Sequence, residues 1–203
     1  MAFGLRIALL SKGLLFCRRS GFNLFAFIVH AFTGKNMSTQ IDQLATELGE
    51  LLLKHKGLLA TAESCTGGLL SGAATAIAGS SAWFDQGWVT YSNAAKQAQL
   101  GVTPQALLQF GAVSEEVARQ MAVGVLNMAP RATLALTTTG IAGPGGGSPG
   151  KPVGLVWFGF AQRRPSGVIV HAISKIFEGD RKAVREASVA FSLATGQMLL
   201  KET

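Results

Sequence analysis

The stretch that most constrains this chain is residues 57–68, where the residue pattern changes from strand-like to helix-like. Gly57-Leu58-Leu59-Ala60-Thr61-Ala62 is a short apolar run of the kind that forms a buried strand. Glu63-Ser64-Cys65-Thr66-Gly67-Gly68 then leads into small residues, 67–77, that read as a helix. At a strand-to-helix junction a serine can project towards the free backbone N–H groups of the helix start. Such donors can stabilise a developing oxyanion or hold a phosphate. Serine and threonine also cap helices at this position, so a purely structural reading of Ser64 stands beside the chemical one.

A second junction repeats the pattern. Trp88-Val89-Thr90 closes a strand expected over 86–91, and Tyr91-Ser92-Asn93-Ala94-Ala95-Lys96 opens a helix. A strand end and a first helical turn bring residues 91 and 96 near one point. A serine becomes a nucleophile beside a base, and a desolvated lysine or a tyrosine can be that base. The alternative is a surface lysine and a half-buried tyrosine.

The rest of the chain alternates in the same way. A helix is predicted from a Ser38 or Thr39 cap to about Lys56, with Ile41, Leu44, Leu48, Leu51 and Leu52 on one face and His55 near its end. Trp83 and Phe84 are packing residues, with lining a pocket as the other option. Short helices follow over 93–100 and 104–110, then a longer one from the Ser114-Glu115-Glu116-Val117 capping pattern to about Asn127. Strands are expected at 132–138, 153–161 and 168–177, the last two as an antiparallel hairpin with a structural His171 in the second. A final helix starts at an Asp180 cap. Alternating strands and helices closed by a strand pair predict an α/β fold: a three-layer α/β/α sandwich with a mixed sheet, in a single domain. Its site belongs at the strand ends where residues 64, 91 and 140 meet.

The glycine-rich segment 140–152 invites two phosphate motifs, and both fail. Gly145, Gly150 and Lys151 have P-loop spacing, but Pro152 stands where Ser or Thr would hold magnesium. Gly145, Gly147 and Gly150 match a dinucleotide fingerprint, yet a strand rather than a helix is expected next. Residues 140–144 are read as a backbone-lined pocket wall and 145–150 as a flexible connection. Arg181, Lys182 and Arg185 fall in the first two turns of the last helix, where cations oppose its dipole. A counter-charge such as a substrate phosphate would explain them, and so would solvated surface charge.

Charge and cysteine content exclude several classes. The net charge is +7, but Arg6, Lys12, Arg18, Arg19 and Lys35 stand in residues 1–36 without one acidic residue. The remainder, with 13 basic against 11 acidic residues, is nearly neutral and carries no basic stripe, so a nucleic-acid partner is not expected. Cys17 and Cys65 form no disulfide framework, which suits a reduced, cytoplasmic setting. The three histidines are scattered and Cys65 lacks a partner at ligand spacing, so no metal site is expected. A helix N-terminus depresses thiol pKa values, which makes Cys65 a rival to Ser64 as nucleophile. The two apolar runs of residues 1–36 are shorter than a membrane span of about 20 residues. Translation starting at Met37 is the expectation, with a secretory signal or an N-terminal extension as alternatives and the domain itself over 37–203.

Ala62-Glu63-Ser64-Cys65-Thr66-Gly67-Gly68, then residues 77–84 (Ile-Ala-Gly-Ser-Ser-Ala-Trp-Phe), then Val89-Thr90-Tyr91-Ser92-Asn93-Ala94-Ala95-Lys96 resemble the CinA C-terminal domain family. Gly111-Ala112-Val113-Ser114, Thr139-Gly140-Ile141-Ala142-Gly143-Pro144, Lys151-Pro152-Val153-Gly154 and Gly179-Asp180-Arg181 extend the resemblance over residues 38–200. It implies a metal-independent, cofactor-free amidohydrolase that converts nicotinamide mononucleotide to nicotinate mononucleotide and ammonia in pyridine nucleotide recycling. The implied roles are Ser64 as nucleophile and Lys96 as base, directly or through Tyr91. Thr66 and Gly67 are the oxyanion donors, and Gly140, Ile141, Ala142, Gly143 and Arg181 hold the nucleotide. Glu63 orients the site or is structural. A homo-oligomer, foremost a dimer, is expected. Two alternatives remain: a nucleotide-binding module without chemistry, and a serine amidase for another amide.

Overall fold

The computed structural model describes residues 36–202. The readings of residues 1–35, including the choice of start site and the targeting segment, lie outside the described residues. Five strands form one mixed sheet: β1 (Leu59–Glu63), β2 (Phe84–Val89), β3 (Leu134–Gly140), β4 (Leu155–Arg164) and β5 (Gly167–Ile176), in spatial order β2-β1-β3-β4-β5. β1 runs parallel to both β2 and β3, and β4 and β5 complete the sheet antiparallel. The α/β sandwich read from the sequence is the observed architecture.

Among the described residues six α-helices cover the sheet: α1 (Met37–Lys54), α2 (Leu69–Thr75), α3 (Asn93–Leu100), α4 (Pro104–Phe110), α5 (Glu115–Met128) and α6 (Arg181–Lys201). α1, α2 and α6 pack together on one side, and α3 and α4 pack on α5 on the other. Strand alternation explains the division of the core. Ala60 and Ala62 of β1 join Val117, Met121 and Val125 of α5 in one cluster. Against α6 the packing is aromatic, with Phe158 of β4 and Phe191 of α6 at 4.6 Å between ring centroids.

Local chemistry sets the element ends. Ser92, Thr103, Ser114 and Asp180 each accept a backbone N–H with the side chain at the start of α3, α4, α5 and α6. Asn36, rather than Ser38 or Thr39, caps α1, its side chain accepting from the Ser38 N–H. α2 begins two residues later than its small-residue pattern suggests. Gly67 and Gly68 hold φ of 59° and 96°, outside the helical region, so the chain turns before it coils. Trp83 is buried, and a Cβ on Gly49 would collide with its indole, which makes it a packing residue of α1 and the sheet.

This topology dictates where a site can lie. From β1 the chain goes by way of α2 to β2 on one side, then returns through α3, α4 and α5 to β3 on the other side of β1. The carboxyl end of β1 is therefore the point where the winding reverses, and a crevice opens there. Ser64 is the first residue after β1.

Candidate active site

Ser64 is held at the crevice by both neighbouring strands. Its N–H donates to the Thr138 carbonyl at 2.9 Å, and the Thr90 N–H donates to the Glu63 carbonyl at 2.8 Å. The turn that follows is fixed by Glu63, which is fully buried. Its carboxylate accepts from the N–H groups of Gly68 (3.0 Å), Leu70 (2.9 Å) and Ser71 (2.8 Å) and from the Ser71 hydroxyl (2.7 Å). Glu63 thus caps α2 from the preceding strand and satisfies N–H groups that would otherwise have no acceptor.

Lys96 enters from α3 and is buried, with 1% of its surface exposed. Its Nζ donates to Ser64 Oγ at 2.9 Å, to the Thr90 carbonyl at 2.8 Å and to the Tyr91 carbonyl at 3.2 Å. No carboxylate forms an ion pair with it among the described residues. Loss of water around the amine lowers its pKa to about 8.

Tyr91 meets Ser64 through its main chain. Ser64 Oγ donates to the Tyr91 carbonyl at 3.5 Å, whereas the Tyr91 phenol accepts from Arg181 at 3.3 Å and the residue is 60% exposed. The direct contact between lysine and serine is therefore present, and a relay through the phenol has no hydrogen bond to Ser64. Cys65 is also at odds with the sequence expectation. Burial is the main reason its thiol is pushed up to about 11; the Glu63 carboxylate adds to the rise and also occupies the helix start that would have stabilised a thiolate.

Ser64, Cys65, Tyr91, Lys96, Thr139 and Gly140 line a cleft of about 220 Å³, with Ala112, Val113, Ala142 and Arg181 completing the wall. A second cavity, of about 650 Å³, shares Ala142 and Arg181 with the first and adds Gly143, Pro144, Asp180, Lys182 and Arg185. Arg181 joins the two by donating to the Gly143 carbonyl at 3.0 Å. Ile141 lines neither; its N–H donates to the Leu155 carbonyl and its carbonyl accepts from Gly154. Thr66 is buried with its hydroxyl on that of Thr138 at 2.7 Å, while Gly67 is exposed at the turn. Residues 145–150 lie apart from the cleft, and Lys151 donates to the Phe110 carbonyl instead of facing a phosphate. Nor does a helix follow them, since Leu155 opens β4. Among the described residues no group of three His, Cys, Asp or Glu side chains is placed to hold a metal ion.

Two contributors escaped the sequence reading, the Thr90 carbonyl and the Thr138–Thr139 edge of β3, and Arg185 was read only as one of the cations that a substrate phosphate or solvated surface charge would explain. Arg185 donates to the Thr66 carbonyl at 2.7 Å. The cation-rich start of α6 was the one signal that pointed to it.

Comparison with known proteins now decides the family, because the sequence model described as the CinA C-terminal domain matches residues 41–200. The chain belongs to the CinA C-terminal domain family. The nicotinamide-nucleotide amidohydrolase PncC of Enterobacter agglomerans is 55% identical over 77% of this chain and 93% of its own length. The protein of the same name from Escherichia coli K12 is 48% identical over 81% of this chain and 98% of its own. A crystal structure of a competence-damaged protein (CinA) superfamily member from Klebsiella pneumoniae superposes with a TM-score of 0.75. It is 36% identical and covers 83% of this chain and all of that one. This CinA-type domain has no helix long and apolar enough to cross a membrane among the described residues.

Proposed function

We propose that this chain is a nicotinamide-nucleotide amidase, hydrolysing the carboxamide of nicotinamide mononucleotide to give nicotinate mononucleotide and ammonia. The observation that carries the mechanism is the buried Lys96 amine 2.9 Å from Ser64 Oγ. A protonated amine spends its three N–H groups on Ser64 and two carbonyls and accepts nothing. Once it loses a proton, two N–H groups stay on the carbonyls of Thr90 and Tyr91 and the lone pair is left for the serine hydroxyl.

The amide carbon is a poor electrophile, so attack needs both that base and a place for the developing negative charge. Ser64 Oγ bonds to the carboxamide carbon as its proton passes to Lys96. The N–H groups of Thr66 and Gly67, which lie between Ser64 and the capped start of α2, receive the oxyanion. The tetrahedral species then breaks its C–N bond, and the proton on Lys96 leaves with ammonia. Water attacks the resulting ester with Lys96 again as base, which frees the carboxylate and regenerates Ser64. No cofactor is needed for this sequence.

The cavities divide the substrate between them. Small-molecule sites commonly measure about 300–1,000 Å³, so the 220 Å³ cleft at Ser64 suits the pyridine carboxamide alone. The adjoining basic cavity suits the ribose and phosphate, with Gly140, Ala142 and Gly143 between them and Arg181 at the junction. Ile141 supports this wall through its pairing with the start of β4. The relatives' names support the same substrate. Ammonia release from nicotinamide mononucleotide by the wild type, lost in Ser64→Ala with binding retained, is the expected result. Binding without turnover by the wild type would favour a non-catalytic module, and turnover of other amides alone would favour a different serine amidase.

A further inference from the structure

The basic start of α6 does more than face a ligand. Lys182 pairs with Glu186 at 3.5 Å, and the Asp180 carboxylate accepts from the Ala183 N–H. Among the described residues no carboxylate pairs with Arg181 or Arg185, although both line the 650 Å³ cavity at a helix end whose dipole is already positive. Arg185 Nε is buried without an acceptor, and the hydrogen bond of its guanidinium goes to the Thr66 carbonyl at 2.7 Å.

The Thr66 carbonyl and the Gly67 N–H belong to one rigid peptide unit and point in opposite directions. A donor that grips the carbonyl therefore aims the N–H. Gly67, with φ of 59° and no side chain, lets that unit rotate, and besides Arg185 the Thr66 carbonyl accepts a long 3.4 Å bond from the Leu69 N–H; a Cβ on Gly67 would lie 3.4 Å from the same Arg185 nitrogen. Arg185 is placed to hold it, with further N–H groups left for an anion in the cavity.

We infer that Arg185 is a positioning residue that couples occupation of the basic cavity by the substrate's phosphate to the aim of the Gly67 N–H at the reacting amide, making turnover depend on the phosphate. The inference rests on the amidase reading above. A phosphate that takes the spare N–H groups of Arg185 fixes the guanidinium, and through it the peptide that receives the oxyanion. Binding energy from a non-reacting part of the substrate is thereby expressed in kcat rather than only in KM.

The test compares ammonia release from nicotinamide mononucleotide and from nicotinamide riboside, with and without inorganic phosphite, in wild type, Arg185→Gln and Arg185→Lys. The wild type should turn over the nucleotide faster than the riboside, and phosphite should raise kcat for the riboside. Arg185→Gln should lower kcat for the nucleotide on the order of 10- to 100-fold, lower that for the riboside by a smaller factor, since the grip on the Thr66 carbonyl is lost there too, and abolish activation by phosphite. Arg185→Lys should recover only part, because lysine lacks the planar fork that spans a carbonyl and a phosphate. Equal loss on both substrates, a change confined to KM, or no phosphite effect on the wild type would overturn the coupling. The last of these needs no variant to fold. A wild type inactive on both substrates would instead remove the amidase reading, and the coupling with it.

Discussion

Lys96 Nζ and Ser64 Oγ lie 2.9 Å apart, although one side chain comes from α3 after β2 and the other from the end of β1. Their meeting depends on the parallel pairing of β1 with β2, which sets Glu63 opposite Val89 and brings the two strand ends level. An ammonium sealed in that position without a carboxylate is costly, and this depresses the lysine pKa.

The pH dependence of turnover follows. With its pKa lowered to about 8, Lys96 is mostly protonated, and unable to accept the serine proton, below that pH. The kcat/KM for the nucleotide should rise about tenfold per pH unit on the acid side and level off above a midpoint near 8. Lys96→Met should lose activity by on the order of 10²–10⁴-fold and lose this limb as well. A stopped pH series scored by ammonia release measures both. A flat profile through the midpoint, or a methionine variant within tenfold of wild type, would remove Lys96 from the role of base.

The sequence was most legible where the signal is local. The bounds of α3 and α4 were readable because Ser92, Thr103 and Pro104 mark their starts and Gly101 and Gly111 follow their ends. Ser64, Tyr91, Lys96, Gly140 and Arg181 were nominated from their junctions, and the fold does bring them around one cleft. What stayed hidden depends on which way a group points. Nothing in the pattern says that Tyr91 would offer its carbonyl to the lysine and its phenol to Arg181. The environment of Cys65 was misread for a related reason: the helix start that should have stabilised its thiolate is filled by Glu63, and that contact forms only when β1 packs against α2. The role of Arg185 needed a contact spanning most of the chain.

Glu63 should prove structural in cost and catalytic in consequence. Each of its two oxygens accepts two donors, so Glu63→Gln turns its amide NH₂ either to the N–H groups of Gly68 and Leu70 or to the N–H of Ser71, beside which only the Ser71 hydroxyl can turn to accept. Two charge-assisted bonds are lost and a buried clash is added. The expected destabilisation is about 3 kcal/mol, given roughly 1.5–3 kcal/mol for a hydrogen bond to a charged group. Urea titration reads it as a lower midpoint. Because the same bonds shape the turn after Ser64, kcat should fall further than the unfolded fraction explains. An unchanged midpoint would show that another group carries the start of α2.

The contact between α3 and α5 should matter to the chemistry although it lies away from the cleft. A Cβ on Gly124 of α5 would run into the carbonyl of Leu100, the last residue of α3 and one turn beyond Lys96. Backbone cannot give way as a flexible side chain can, so Gly124→Ala must push the two helices apart. Overpacking of this kind costs about 1–3 kcal/mol. The same displacement moves the lysine amine from its place over Ser64, and a shift on the order of 1 Å is enough to slow an oriented reaction about 10²-fold. The variant should therefore fold with a lowered melting temperature and lose kcat at least tenfold, with KM nearly unchanged. Gly72→Ala is the matched control, since its Cβ meets nothing within 4 Å on α2, and it should gain about 0.5–1 kcal/mol from helix propensity without touching turnover. If Gly124→Ala were destabilised yet kept full kcat, the placement of Lys96 would owe nothing to how α3 seats on α5.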